Sequence, residues 1–155
     1  AFLFSWAVQT FHTLGLTQDV AIYLKSKGVA YRRFYEELLL ADQNTLIGKQ
    51  VAGADRCLDR ALNGGEWGEI NPVYGQIVWP LEEKSFLDVV TGDLKLFYSQ
   101  LEEIVNKHFV SPFPEEIIQK QMLRMRTPEE FGGDVKEYAK KVVWFGRKGG
   151  FFLKE

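Results

Sequence analysis

Apolar residues recur at three- and four-residue steps along most of this chain, the period of a helix with one buried face. In residues 2–14, Phe2, Leu3, Trp6, Val8, Phe11 and Leu14 form such a face, and Gly15 ends it. Thr17 then reads as an N-cap, Val20, Ala21 and Leu24 carry the face onward, and Gly28 closes a second helix. Residues 31–41 make a third, with Tyr31, Phe34, Tyr35, Leu38 and Leu39 on one stripe and Arg32, Arg33, Glu36 and Glu37 mostly opposite. Residues 45–62 make a fourth through Leu46, Ile47, Val51, Ala54, Cys57, Leu58 and Ala61, stopped at Asn63-Gly64-Gly65.

The periodicity lapses over residues 64–79. Gly64, Gly65, Gly68, Pro72 and Gly75 punctuate this stretch, which predicts a long ordered loop. Loops of that length are uncommon in compact domains and are often functional. Pro80 then suits the first turn of a fifth helix. Glu82 and Glu83 face the positive end of its dipole, and Phe86, Leu87, Val89 and Val90 supply its apolar side.

A sixth helix is expected from about Asp93 to Lys107, and a seventh from Pro114 through Ile117, Ile118 and Met122. A short turn at 127–131 follows, with Thr127 as cap, and then a last helix from Asp134 to about Lys141. The tail VVWFGRKGGFFLKE predicts a small C-terminal hairpin around a Gly-rich turn. The expected fold is all-α: one domain over residues 1–155, an irregular bundle of six to eight helices with a long aromatic loop.

Composition narrows the function classes. The 155 residues are 46% hydrophobic and 26% charged, with twelve Phe, six Tyr and four Trp, enough aromatic mass for a sizeable core. The net charge of -2 gives no nucleic-acid footprint. The apolar opening AFLFSWAV is too short to span a bilayer, so neither membrane nor nucleic acid is an expected partner. A start at Ala1, inside an apolar pattern, leaves two readings open: a piece of a longer polypeptide, or Met removal before a small residue.

The chemistry-bearing residues are few. Cys57 is the single cysteine, which rules out an internal disulfide framework and a cluster held by several thiolates of this chain. His12 and His108 are the only histidines, and neither HExxH nor ExxH spacing occurs, so no metal site is expected. His12, beside Phe11, reads as a half-buried helix histidine or as a ligand-binding one. Cys57 lies on an apolar stripe and reads as an inert thiol. GRKGG (146–150) lacks Walker spacing and reads as a turn. Glu82 and Glu83 could serve as an acid–base pair, but adjacent helix positions point about 100° apart. Trp67, Tyr74 and Trp79 fit a binding surface, since aromatics with one polar handle suit interfaces. They equally fit anchors that hold a loop over a core. No nucleophile–base pair, oxyanion signature or nucleotide fingerprint stands out, and no catalytic residue is assigned.

The order of patches resembles a known family. TFHTLGLTQDVAIYL (10–24), YRRFYEELL (31–39), NTLIGK (44–49) and GEWGEINPVYGQIVWPLEEKSFL (65–87) are similar to the helical region that follows the catalytic barrel in cobalamin-binding radical SAM proteins. The likeness covers roughly residues 2–110 and rests on aromatic and polar patches, with no catalytic motif. The family's CxxxCxxC triplet and any cobalamin motif are absent here. The resemblance therefore implies a non-catalytic, cytoplasmic accessory C-terminal domain of an Fe–S oxidoreductase. Its partner would be the upstream barrel of the same polypeptide. The four-iron cluster, S-adenosylmethionine and cobalamin would belong to that parent protein. The expected contact surface is His12, Trp67, Tyr74, Trp79, Glu82 and Glu83. Two other readings are a free-standing protein-interaction module using the same aromatic loop, and a small-molecule-binding helical protein or enzyme using Glu82, Glu83 and His12.

Overall fold

A computed structural model describes residues 2–144. The chain is a bundle of eight α-helices with one two-stranded antiparallel sheet among the described residues. The helices are α1 (Phe2–Ala7), α2 (Gln18–Ser26), α3 (Tyr31–Leu39), α4 (Leu46–Leu62), α5 (Leu81–Val90), α6 (Leu94–His108), α7 (Glu115–Arg124) and α8 (Val135–Tyr138). The strands β1 (Gly68–Asn71) and β2 (Gly75–Pro80) lie between α4 and α5. No helix among the described residues is long and apolar enough to cross a membrane.

Two α-helices run on into wider turns. The helix expected over 2–14 forms, but Val8–Thr13 is wound as π-helix. Its buried face still holds Trp6, Phe11 and Leu14. Such turns recur at functional sites, because the extra residue per turn re-aims its side chains. The last helix behaves likewise: α8 continues as a π-turn over Ala139–Trp144. That stretch takes up Val142–Trp144, which the sequence pattern assigns to the first arm of a C-terminal hairpin. Residues 145–155, the rest of that expected hairpin, lie outside the described residues.

Capping chemistry sets several boundaries. Thr45 Oγ1 accepts from Gly48 N (3.0 Å) at the start of α4. Gly48 is required there, because a Cβ would sit 1.9 Å from the Asp42 carbonyl oxygen. Asp93 accepts from Leu96 N and Asp134 from Glu137 N, opening α6 and α8. Pro80 and Pro114 stand one residue before their helices, at the N-cap, so both boundaries fall within a residue of expectation.

The core runs the length of the bundle, and three buried polar groups lock its layers in register. Trp6 Nε1 donates to Ser85 Oγ (3.1 Å), tying α1 to α5. Tyr98 Oη donates to the Leu16 carbonyl (2.8 Å). The buried amide of Gln121 donates to Gly15 O (2.8 Å) and accepts from Asp19 N (2.7 Å), fastening α7 to the turn before α2. Tyr98 and Gln121 satisfy backbone groups and Trp6 a buried hydroxyl, and a partner of this kind is what makes a buried polar side chain tolerable. Arg124 pairs with the buried carboxylate of Asp19 at the same junction.

Candidate functional site: an anchored hairpin and a histidine cavity

Residues 64–79 are not a structureless loop. Gly68 pairs with Pro80, Glu69 with Trp79 and Asn71 with Gly75, with a bulge between Glu69 and Asn71. The connection is a 3-10 turn, Pro72–Tyr74, capped by Asn71 Oδ1 accepting from Val73 N (3.0 Å). Gly75 leaves the turn at φ +113°, a conformation open to glycine. The driving pattern is the set of β-branched residues Ile70, Val73, Ile77 and Val78 on either side of Asn-Pro. Interspersed glycines hide that alternation from a periodicity count.

An isolated two-stranded hairpin is marginal in water. This one is held down by aromatics and by a charge chain. Trp79 is 0% exposed and packs edge-to-face on Trp144, with centroids 5.6 Å apart. Its indole Nε1 is buried with no hydrogen-bond partner among the described residues. Tyr74 is 6% exposed and donates its hydroxyl to Asp88 Oδ1 (2.7 Å). Asp88 pairs with Lys84 (2.8 Å), Lys84 with Glu69 (3.1 Å), and Glu69 with Arg60 (2.8 Å). The chain thus runs from the hairpin turn across α5 to β1 and on to α4. Partial burial alone would raise the Glu69 carboxyl, but Lys84 and Arg60 outweigh it and hold its pKa below the usual value. For Lys84 the sign reverses: burial lowers its pKa, and Asp88 and Glu69 raise it by more.

Of the six residues expected to form a contact surface, four gather on this unit in supporting roles. Trp67 is half-buried and donates Nε1 to Glu82 Oε2 (3.3 Å), so Glu82 orients an indole. Tyr74 and Trp79 point inward. Glu83 is buried on α5 beside them in sequence. Tyr74 and Trp79 are buried, as hairpin anchors are, while Trp67 stays half-buried.

The exposed residues of the hairpin include, beside Pro72 and Gln76, four aliphatics. Ile70 is 59%, Val73 55% and Val78 43% exposed. Ile70 and Val78 line one shallow depression with Arg60 and Glu69. Ile77 faces the other way, as its neighbouring position in the strand requires. It lines a cavity of about 320 Å³ with Tyr74, Trp79, Lys136, Lys140 and Trp144. None of these aliphatics entered the sequence-based surface, although their β-branching around Asn-Pro was the available signal.

His12 lies elsewhere, in the π-turn. It lines a cavity of about 390 Å³ with Phe4, Val8, Tyr31, Arg32 and Tyr35, and neither Glu82 nor Glu83 reaches that cavity. Its Nδ1 is 2.8 Å from Tyr35 Oη, which is 3.1 Å from Thr17 Oγ1, which donates to the Phe11 carbonyl (3.0 Å). Thr17, expected as a capping residue, makes no cap hydrogen bond and spends its hydroxyl here. Burial lowers the His12 pKa from 6.5, favouring the neutral ring at pH 7.

The donor set for a four-iron cluster does not fit this chain: the single thiol, Cys57, is fully buried, with Sγ directed at Glu66 O (3.9 Å). No group of three or more His, Cys, Asp or Glu that could hold a metal ion occurs among the described residues. No protein-family model matches the chain, and no curated protein matches it.

Proposed function

We propose that this chain is a non-catalytic helical accessory domain of a radical SAM, cobalamin-binding Fe–S oxidoreductase. It docks on the upstream catalytic barrel through the outer face of its hairpin and so helps cover the active site or recognise the substrate. The observation that carries this reading is the exposed aliphatic pair Ile70 and Val78 in one depression, with Val73 exposed at the turn, on a ribbon that is otherwise anchored by buried aromatics. Exposed apolar side chains rimmed by polar groups mark interaction sites. The sequence likeness over residues 2–110 supplies the identity of the partner. Arg60 and Glu69 beside Ile70 and Val78 give the face a charged rim, the usual anatomy of a docking patch.

The test uses the barrel polypeptide of the parent protein and this chain as separate molecules. Sedimentation is expected to show the chain as a monomer alone and as a one-to-one complex with the barrel. The double variant Ile70→Thr/Val78→Thr keeps β-branched side chains but removes apolar area, and it should weaken that complex at least tenfold. A wild-type chain that ignores the barrel sinks the reading. A chain that forms a hairpin-dependent dimer with itself instead favours a free-standing interaction module.

A further inference from the structure

The His12 cavity takes no part in the hairpin docking, yet its hydrogen bonds have a definite direction. Thr17 Oγ1 has one proton, and it goes to the Phe11 carbonyl, which can only accept. In the contact between Thr17 and Tyr35, Tyr35 must then be the donor. Tyr35 Oη has no second proton, so in its contact with His12 the ring must donate. Every proton along the chain is thereby assigned: His12 Nδ1–H to Tyr35 Oη, Tyr35 O–H to Thr17 Oγ1, Thr17 O–H to Phe11 O. The neutral ring is held as its Nδ1–H tautomer, and Nε2 is left as a lone pair. Among the described residues no side chain hydrogen-bonds Nε2, and it is not among the buried unpartnered atoms.

The surroundings of that lone pair are aromatic and aliphatic. The Tyr31 ring lies 5.0 Å from the imidazole and tilted by 51°, and Tyr35 meets it edge-on at 5.6 Å. Phe4 and Val8 complete the apolar lining, and the volume of about 390 Å³ falls in the range of small-molecule sites. Arg32, at the rim, is already paired with Glu36 (2.7 Å). A site with apolar walls and one fixed acceptor selects for a flat, neutral molecule with a single donor.

We propose that this cavity is a binding site for a small planar aromatic bearing one O–H or N–H group, which it donates to His12 Nε2. Tyr35 and Thr17 are the positioning residues: they fix the tautomer that makes Nε2 an acceptor. The site stands independently of the hairpin, so failure of the docking reading leaves it untouched.

The experiment is long-range ¹H–¹⁵N NMR of the histidine-labelled chain at pH 7, with phenol and toluene as probes. The ligand-free spectrum should show His12 as Nδ1–H with an unprotonated Nε2. Phenol should move the His12 Nε2 resonance and the Tyr31 ring saturably, and toluene should bind at least tenfold more weakly. Tyr35→Phe removes the acceptor for Nδ1–H. It should let the ring drift toward Nε2–H and reduce the preference for phenol over toluene. An Nε2–H tautomer in the wild-type chain, no saturable shift with phenol, or equal affinity for phenol and toluene would overturn the proposal. The wild-type measurements decide the matter even if Tyr35→Phe folds poorly.

Discussion

Two tyrosines in this protein stand in nearly the same setting and do different work. Tyr35 and Tyr74 each place a hydroxyl beside a threonine, and each threonine donates to a backbone carbonyl, Phe11 O for Thr17 and Leu87 O for Thr91. The third partner separates them. Tyr74 faces Asp88, a carboxylate, which can only accept, so its proton leaves along that 2.7 Å bond. Its 3.3 Å contact with Thr91 is left without a proton of its own. Tyr35 faces an imidazole, so its proton turns inward to Thr17, and the histidine donates. One network ends in a charge chain that pins a hairpin. The other ends in a lone pair facing a cavity. The same pair of residue types thus yields a clamp or a site, according to which neighbour can donate.

The largest effect should come from removing the other anchor of the clamp. Trp79→Ala deletes a fully buried indole and is expected to cost about 3–5 kcal/mol in urea unfolding, as buried Trp truncations do. Tyr74→Phe removes a hydrogen bond to a charged acceptor and should cost about 1.5–3 kcal/mol, with the His12 NMR signals unmoved. Tyr35→Phe should cost about 1 kcal/mol, the worth of a neutral hydrogen bond, while relaxing the His12 tautomer. If both Phe variants cost the same and both leave His12 unchanged, the contrast between clamp and site collapses.

Smaller effects sharpen the contrast. The folded chain holds the His12 pKa below 6.5, so the unfolded chain protonates first as pH falls. The His12 contribution is therefore neutral above pH 6.5. It becomes destabilising as pH drops through 6.5, and stops growing below the folded pKa. Tyr31, Arg32 and Tyr35 face the ring; Glu36 raises the Arg32 pKa and burial raises that of Tyr35, so neither of these two changes charge in that window. Denaturation of wild type and His12→Gln at pH 7.5 and 5.5 isolates this part, and the wild type should lose more stability on acidification. The smallest expected change in stability belongs to Ile70→Thr/Val78→Thr. These positions are 59% and 43% exposed, so each substitution should shift unfolding by no more than about 0.5 kcal/mol, although the pair should impair docking.

Much of the helical frame was legible because its signals are local. Thr45, Asp93 and Asp134 cap as their types predict, and Phe34, Leu38, Ala54, Phe97 and Leu101 fall on the buried faces that their spacing assigns. The hairpin was hidden because its strands are short and broken by Gly68, Pro72 and Gly75, so a period of two never runs long enough to register. The direction of Trp67, Tyr74 and Trp79 was undecidable from type alone, since a buried anchor and a binding aromatic use the same residues. Their partners Glu82 and Asp88 come from the next helix, and the aliphatics that end up exposed look like core in a linear reading. The His12 network lay further out of reach. It needs a π-turn to bring residue 12 beside Tyr35, and no composition or spacing rule marks such a turn here.

The central claim is that buried aromatics hold the hairpin down while its aliphatic residues stay exposed, and the proposal built on it is that an upstream barrel of the same polypeptide covers them. Amide hydrogen exchange over residues 68–80, in this chain alone and in the intact parent protein, tests it directly. The account predicts fast exchange at the strand edges around Ile70 and Val78 in the chain alone, and marked protection of those amides in the parent, with α6 unchanged. Equal exchange of residues 68–80 in both molecules would contradict it.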